Sequence, residues 1–96
     1  MLKKAIDYSM KELKAAEEYN KMAYHATDAA MAQKFNEMAK EEMKHYEYIR
    51  SVLDKEREKE PHKEDGFCDI FVKTYEEYLD DWKGKILYNI NNFKAK

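Results

Sequence analysis

The amino-acid sequence predicts an all-α protein, a long helical hairpin followed by a third helix. Two compositional facts favour this: the 96 residues contain only two Gly and one Pro, and 40% of them are charged. The third observation is that apolar residues recur at the three- and four-residue spacing of amphipathic helices, with no strand-like alternation. So short a chain buries only about 60% of its surface alone, and association with other copies is therefore expected.

The apolar spacing places the first helix over about residues 2–26 and the second over about residues 29–58. Between them, Thr27 and Asp28 interrupt the pattern and supply an N-cap for the second helix. A connection this short makes the two helices antiparallel neighbours. Residues 1–58 are therefore predicted to form the hairpin that carries the functional residues.

A charged stretch, residues 59–66, follows the hairpin, contains Pro61 and ends in Gly66, which predicts a solvated linker. Residues 67–96 then carry aromatic and aliphatic side chains at helical spacing, so a third helix is expected. No acid lies at the centre of its apolar surface, and Asp81 is the nearest candidate. This helix is therefore predicted to serve packing or oligomerisation rather than metal binding, within one domain overall.

Charge and cysteine content exclude several classes of protein. The net charge is −2 with both signs interspersed, which argues against nucleic acid and anionic membranes as partners. A single cysteine, Cys68, provides neither a disulfide framework nor a Cys-x-x-Cys site. No run of about 18 apolar residues and no leader-like segment is present. The expected location is the cytoplasm.

Two acids fall at the centre of the apolar surfaces of the hairpin helices, Glu12 and Glu42. At about 100° per residue, apolar side chains lie within about 60° on both sides of each. A buried carboxylate costs several kcal/mol unless it is paired or binds a metal. By contrast, Glu17 and Glu18 fall among lysines and are expected to be ordinary solvated side chains.

A histidine completes the pattern, since His45 follows Glu42 by three residues and shares its helix face. Glu12 and Glu42 are each 15 residues from Thr27, so the antiparallel turn brings them to the same height. Two level acids with an imidazole one turn away predict a metal site made of Glu12, Glu42 and His45.

Tyrosines close to the acids are candidates for a supporting layer of hydrogen bonds. Tyr8, Tyr19 and Tyr46 lie within two turns of the acids, and carboxylates that bind metal usually have such partners. The other histidines, His25 and His62, fall outside the apolar surfaces and are expected to be exposed.

Two glutamates and one histidine form half of a known ligand set. Dinuclear carboxylate proteins take a Glu from each of two helices and a Glu-x-x-His from each of two others. A two-fold axis at the level of Glu12 and Glu42 would supply the missing half. The sequence therefore predicts a four-helix bundle made from two chains, with the site at their interface. Mixed carboxylate and imidazole ligands favour iron or manganese, and zinc also accepts them.

The strings that carry this set run Glu12-Leu13-Lys14-Ala15-Ala16-Glu17-Glu18-Tyr19-Asn20-Lys21-Met22-Ala23 and Phe35-Asn36-Glu37-Met38-Ala39-Lys40-Glu41-Glu42-Met43-Lys44-His45. They resemble the ferritin-like superfamily and are most similar to the first half of a rubrerythrin domain. The resemblance covers roughly residues 1–58. It implies that Glu12, Glu42 and His45 are iron ligands, with two irons per dimer.

A rubrerythrin-type second half and a Cys-rich rubredoxin module are missing from these 96 residues. In this the chain is similar to encapsulated ferritin-like proteins, which build a ferroxidase centre between two subunits inside an encapsulin shell. That resemblance implies a homodimer or larger even-numbered oligomer that oxidises Fe(II) with dioxygen or peroxide. Three alternatives stay open: a rubrerythrin-like peroxide reductase, a non-catalytic metal-binding helical oligomer, and a bundle whose acids are paired with lysines or protonated.

Overall fold

A computed structural model describes residues 2–57 and 69–95 of the chain. Those ranges hold three helices and no strand: α1 (Leu2–His25), α2 (Ala29–Arg57) and α3 (Asp69–Asn91). The predicted all-α class is confirmed, and α3 continues without interruption through Gly84. The predicted linker 59–66, with His62, lies outside the described residues, as does Cys68. None of these helices is both long enough and apolar enough to cross a membrane.

The hairpin turn is set by one capping side chain. Asp28 Oδ1 accepts hydrogen bonds from the backbone N–H groups of Ala30 at 2.8 Å and Met31 at 3.2 Å. Such N–H groups have no partner inside a helix, so a cap at this position defines where α2 begins. The predicted N-cap is therefore found at Asp28, and α1 and α2 then pack against each other along their lengths.

The core lies where the three helices meet. Its buried apolar side chains are Ala5, Ile6, Leu13, Ala16, Ala39, Met43, Tyr46, Leu53, Leu79, Ile86 and Ile90. Ala16 of α1 and Ala39 of α2 are both fully buried, and side chains this small let the two helix axes approach closely. Because α3 packs mainly against α1, it covers one side of the hairpin, and in the part of the chain that the structure describes the apolar side chains of the other side are left exposed.

Hydrogen bonds of buried amides fasten the end of α3 near the hairpin turn. Asn20 Nδ2 donates to Asn36 Oδ1 at 3.0 Å, and Asn36 Nδ2 donates to the carbonyl oxygen of Ile90 at 3.3 Å. The Tyr24 hydroxyl donates to the carbonyl oxygen of Asn89 at 2.8 Å. The bonds to Asn89 and Ile90 satisfy carbonyl groups of the last turn of α3, which have no partner within the helix.

A second contact joins α3 to the middle of α1. Trp82 Nε1 donates to Glu17 Oε2 at 3.0 Å, and the Glu17 side chain is only 30% exposed. The prediction that Glu17 is an ordinary solvated residue is therefore wrong, because α3 covers that side of α1 and an indole N–H needs an acceptor. Its neighbour Glu18 is as expected, half exposed and 3.4 Å from Lys14.

An arginine connects α2 to α3 further from the turn. The Arg50 side chain is 17% exposed and lies 3.2 Å from Glu76, 3.3 Å from Asp54 and in contact with Asp80. It also donates to the Tyr46 hydroxyl at 3.3 Å. Burial alone would lower the pKa of Arg50, but its hydrogen bonds to Asp80 and Tyr46 outweigh burial and raise that pKa.

Candidate metal centre

The structure brings together the three residues that the sequence predicts as metal ligands. One donor atom each from Glu12, Glu42 and His45 lies within 4.8 Å of the others. His45 Nδ1 is 3.7 Å from Glu12 Oε2 and 3.7 Å from Glu42 Oε2. α1 provides Glu12, and α2 provides Glu42 and His45. The equal distances of the two acids from the turn therefore place them side by side, as the sequence predicts.

The spacing of these atoms suits a cation better than a hydrogen-bonded cluster. A separation of 3.7 Å between His45 and each acid is too long for a hydrogen bond. Glu12 Oε2 is buried, and no donor among the described residues reaches it. A buried oxygen without a partner is rare and costs about 1–3 kcal/mol. A metal ion would satisfy it, and carboxylate with imidazole is a donor set that iron, manganese and zinc accept.

Crowding of negative groups raises the pKa of Glu12. The first cause is the neighbouring Glu42 carboxyl group; burial adds to the rise, and the nearby His45 opposes it. Two carboxyl groups in one site bind a proton more readily than either would alone. A cation among them would displace that proton, since it neutralises the same negative charge.

The two acids lie at the border of the buried surface rather than at its centre. Their side chains are 25% and 22% exposed for Glu12 and Glu42, and the His45 side chain is 61% exposed. The buried residues Ser9 and Leu13 of α1 are centred about 80° further round the helix than Glu12. Within one chain the acids are therefore off the centre of the buried surface, because the apolar surface of each helix is wider than the part that α3 and the facing helix cover.

The uncovered part of that apolar surface surrounds the metal ligands. Four of its side chains are largely exposed, Tyr8 and Met31 at 54%, Met22 at 48% and Met38 at 39%. We call the side of the hairpin away from α3 the open face; it consists of Tyr8, Glu12, Tyr19, Met22, Met31, Phe35, Met38, Glu42, His45, Ile49 and Val52. A cluster of exposed apolar side chains is typical of an interaction surface.

Tyr46, one of the three tyrosines predicted to support the carboxylates, has a different hydrogen-bond partner. Tyr46 is buried, and its hydroxyl accepts a hydrogen bond from Arg50. Burial raises the pKa of Tyr46, and Arg50 opposes the rise. Among the described residues, neither Tyr8 nor Tyr19 donates to the unpartnered oxygen of Glu12. Support of Glu42 and of the other oxygen of Glu12 by these tyrosines stays a prediction.

No further donor joins the cluster from elsewhere in residues 2–57 and 69–95, where these three residues are the sole group close enough to hold a metal. Asp81 of α3 is 71% exposed and pairs with Lys85 at 3.2 Å. His25 is exposed at the end of α1. The residue that sequence reasoning missed is Glu76, which is buried against Arg50. The apolar spacing of α3 places Glu76 on the side of the helix opposite the apolar residues. That spacing does not reveal a partner on another helix.

Comparisons of the chain with models of protein families, with curated proteins and with solved structures find no match. The most distinctive feature of the described chain is a group of two carboxylates and an imidazole in the open face. One carboxylate oxygen of this group, Glu12 Oε2, is buried without a partner.

Proposed function

We propose that the chain is one half of a dinuclear metal centre and that two assembled halves form a di-iron ferroxidase. One observation carries the proposal: the cluster of Glu12, Glu42 and His45 lies in the middle of the exposed apolar residues of the open face. Charged groups are depleted from the centre of ordinary apolar interfaces. Two carboxylates and an imidazole at the centre of an apolar interface are explained if they bind a metal ion there.

A second copy of the chain is the partner that completes the site. Three donor groups are too few to hold two metal ions, whereas two copies related by a two-fold axis supply four carboxylates and two imidazoles. The same contact would cover Tyr8, Met31 and the other exposed side chains of the open face. The resemblance of residues 1–58 to a half rubrerythrin domain supports this arrangement independently of the exposed surface.

Iron is the substrate in this proposal. Glu12, Glu42 and His45 of both copies would bind two Fe(II) ions, and the carboxylates would neutralise the charge that grows as each becomes Fe(III). Each Fe(II) gives up one electron. Two electrons and two protons convert one dioxygen to hydrogen peroxide, or one hydrogen peroxide to two water molecules. The apolar side chains around the cluster limit the access of water once the faces are joined.

The test is anaerobic titration with Fe(II), followed by oxygen consumption on exposure to air. We expect the wild-type protein to bind one iron per chain and to consume oxygen. Glu42→Gln should reduce iron-dependent oxygen consumption at least tenfold, because it removes one of the two negatively charged carboxylates that each chain contributes to the site. Glu41→Gln is the matched control, since Glu41 is the exposed neighbour of Glu42 on the same helix, and it should behave as wild type.

Three outcomes separate the alternatives. Iron that binds without any consumption of oxygen or peroxide would indicate the non-catalytic metal-binding oligomer. Consumption of peroxide alone, with an added electron donor, would indicate the rubrerythrin-like reductase. No iron uptake at all, or full activity in Glu42→Gln with unchanged helicity, would mean that the acids are structural.

A further inference from the structure

The open face differs between its two ends. At the end away from the hairpin turn, it contains a cavity of about 160 Å³ lined by Lys4, Ala5, Tyr8, Ile49 and Val52. The lining is almost wholly apolar. The cavity opens on the same face as the metal cluster, and its residues lie within three turns of Glu12 or Glu42.

Methionines project from the other end of the open face, toward the turn. The side chains of Met22, Met31 and Met38 are 48%, 54% and 39% exposed. Methionine is unbranched and flexible, so it adapts to irregular apolar gaps in a partner surface. One end of the face therefore offers a cavity, and the other end offers side chains able to fill one.

The cavity and the methionines lie at matching distances from the metal cluster, in opposite directions. At a rise of about 1.5 Å per residue, Ala5 and Ile49 are each about 10 Å from the level of the acids, away from the turn. Met38 and Met31 are about 6 Å and about 16 Å from that level, toward the turn. A two-fold axis across the helices at the level of the acids exchanges these two positions.

We propose that two open faces dock antiparallel, with their turns at opposite ends, so that the cavity of each copy receives Met31 and Met38 of the other. This inference rests on the proposed function, which requires a second copy at the cluster, and it adds the orientation of that copy. α1 then lies against α1 of the partner and α2 against α2, while the two metal clusters meet at the centre.

The alternative orientation, with both turns at the same end, fits the surface less well. It would set cavity against cavity and methionine against methionine. Protein interfaces pack as densely as protein interiors, and two facing cavities of about 160 Å³ each would leave a void. The antiparallel orientation fills each cavity with the side chains that are otherwise exposed.

One pair of charges on the same edge of α1 is consistent with this orientation. Lys4 lines the cavity, at the end away from the turn. Glu18 lies on the same edge toward the turn, and its side chain is 50% exposed. In the antiparallel dimer, Lys4 would approach the partner's Glu18. Such a pair adds little affinity but helps to select one orientation.

The size of the open face suits a specific dimer. α1 has 24 residues, about 36 Å at 1.5 Å per residue, and the molecule is 17 Å across. Two such faces in contact would bury about 1,200 Å², which is at the lower end of the range for specific protein interfaces.

The orientation can be tested by cross-linking in full-length chains in which Cys68→Ser removes the native thiol. Val52→Cys and Met31→Cys are made in separate chains, one of them tagged to alter its mass. The chains are mixed, with and without anaerobic Fe(II), and treated with a short bis-maleimide. We expect the mixed cross-link to dominate, whereas Val52→Cys alone should remain uncross-linked because its two copies lie at opposite ends.

A pair of charge substitutions tests the surface itself. Met38→Glu should weaken dimerisation at least tenfold by light scattering, since it would place a carboxylate in the apolar cavity of the partner. Tyr88→Glu is the matched control, because Tyr88 is 68% exposed on α3, away from the open face. Equal molar masses for the two variants, or efficient self-cross-linking of Val52→Cys, would overturn the antiparallel docking.

Iron binding, measured on the same samples, separates this inference from the proposed function. A mixed cross-link in a protein that binds no iron would support the docking and contradict the metal centre. One iron per chain in a protein whose Val52→Cys copies cross-link to themselves would contradict the docking and leave the metal centre intact.

Discussion

Glu12 shows how one residue can be unfavourable for the isolated chain and still suit a binding site. Its Oε2 atom is buried without a hydrogen-bond partner, and the adjacent Glu42 carboxyl group raises its pKa. Both features oppose the ionised form, which is the form that binds metal. The free energy that the metal-free protein loses here is recovered when a cation binds beside the two carboxylates, so stability, pH and metal content are linked at this residue.

The pH dependence of the metal-free protein should reveal this link. Below the ordinary pKa of 4.5, Glu12 is protonated in both the folded and the unfolded chain. As pH rises, the unfolded chain releases this proton first, so the free energy of unfolding falls until pH passes the raised pKa of the folded state. Glu12→Gln cannot titrate, and we expect it to gain stability relative to wild type over that interval.

Urea unfolding of the metal-free proteins between pH 4 and pH 8 is the measurement. Glu18→Gln is the control, because Glu18 is half exposed beside Lys14, and it should show no such gain. Parallel stability curves for wild type and Glu12→Gln would show that Glu12 carries no unfavourable charge in the folded chain.

At the residue scale, periodicity predicted which side chains share a face but not which face is covered. Glu12, Glu42 and His45 lie close together as expected, because the 3.6-residue repeat and the distance of each residue from the turn can both be read from the sequence. Glu17 was misjudged because its partner, Trp82, belongs to a helix 65 positions away in the chain. No local pattern encodes a contact of that kind.

At the scale of elements, the hairpin follows from the sequence more fully than the position of α3 does. The turn residues and the two amphipathic repeats define α1 and α2, and only a cap such as Asp28 is needed to join them. α3 is positioned by scattered polar contacts that include Asn36 to Ile90 and Arg50 to Glu76. These contacts explain why α3 covers one side of the hairpin and leaves the open face free.

The Arg50 contacts should account for a measurable part of the attachment of α3. Arg50→Ala removes a guanidinium that is 17% exposed and bonded to both Glu76 and Asp80, and we expect a loss of about 2 kcal/mol in the free energy of unfolding. Lys85→Ala is the control, since Lys85 is 75% exposed in its pair with Asp81, and should cost less than about 0.5 kcal/mol. Denaturant unfolding measures both; equal losses would assign Arg50 no special role.

At the scale of the whole molecule, the described chain is a rod of 50 × 17 × 16 Å. Three helices in so narrow a rod leave part of the apolar surface of each hairpin helix uncovered. In the sequence, the apolar residues of each hairpin helix span a surface wider than one helix–helix contact covers. Glu12 and Glu42 lie at the centre of that wider surface. A four-helix bundle made by two chains would cover both halves of that surface.

Metal affinity is therefore expected to depend on protein concentration. A dimer-shared site has its full set of ligands only when two chains are associated, so dilution should remove ligands together with the partner. Anaerobic Fe(II) binding, measured at protein concentrations above and below the dimer dissociation constant found by light scattering, should show at least a tenfold weaker affinity in the dilute sample. Met38→Glu should show the weak affinity even at high concentration. An affinity that stays constant while the mass falls to that of a monomer would mean that Glu12, Glu42 and His45 of one chain are sufficient to hold the metal.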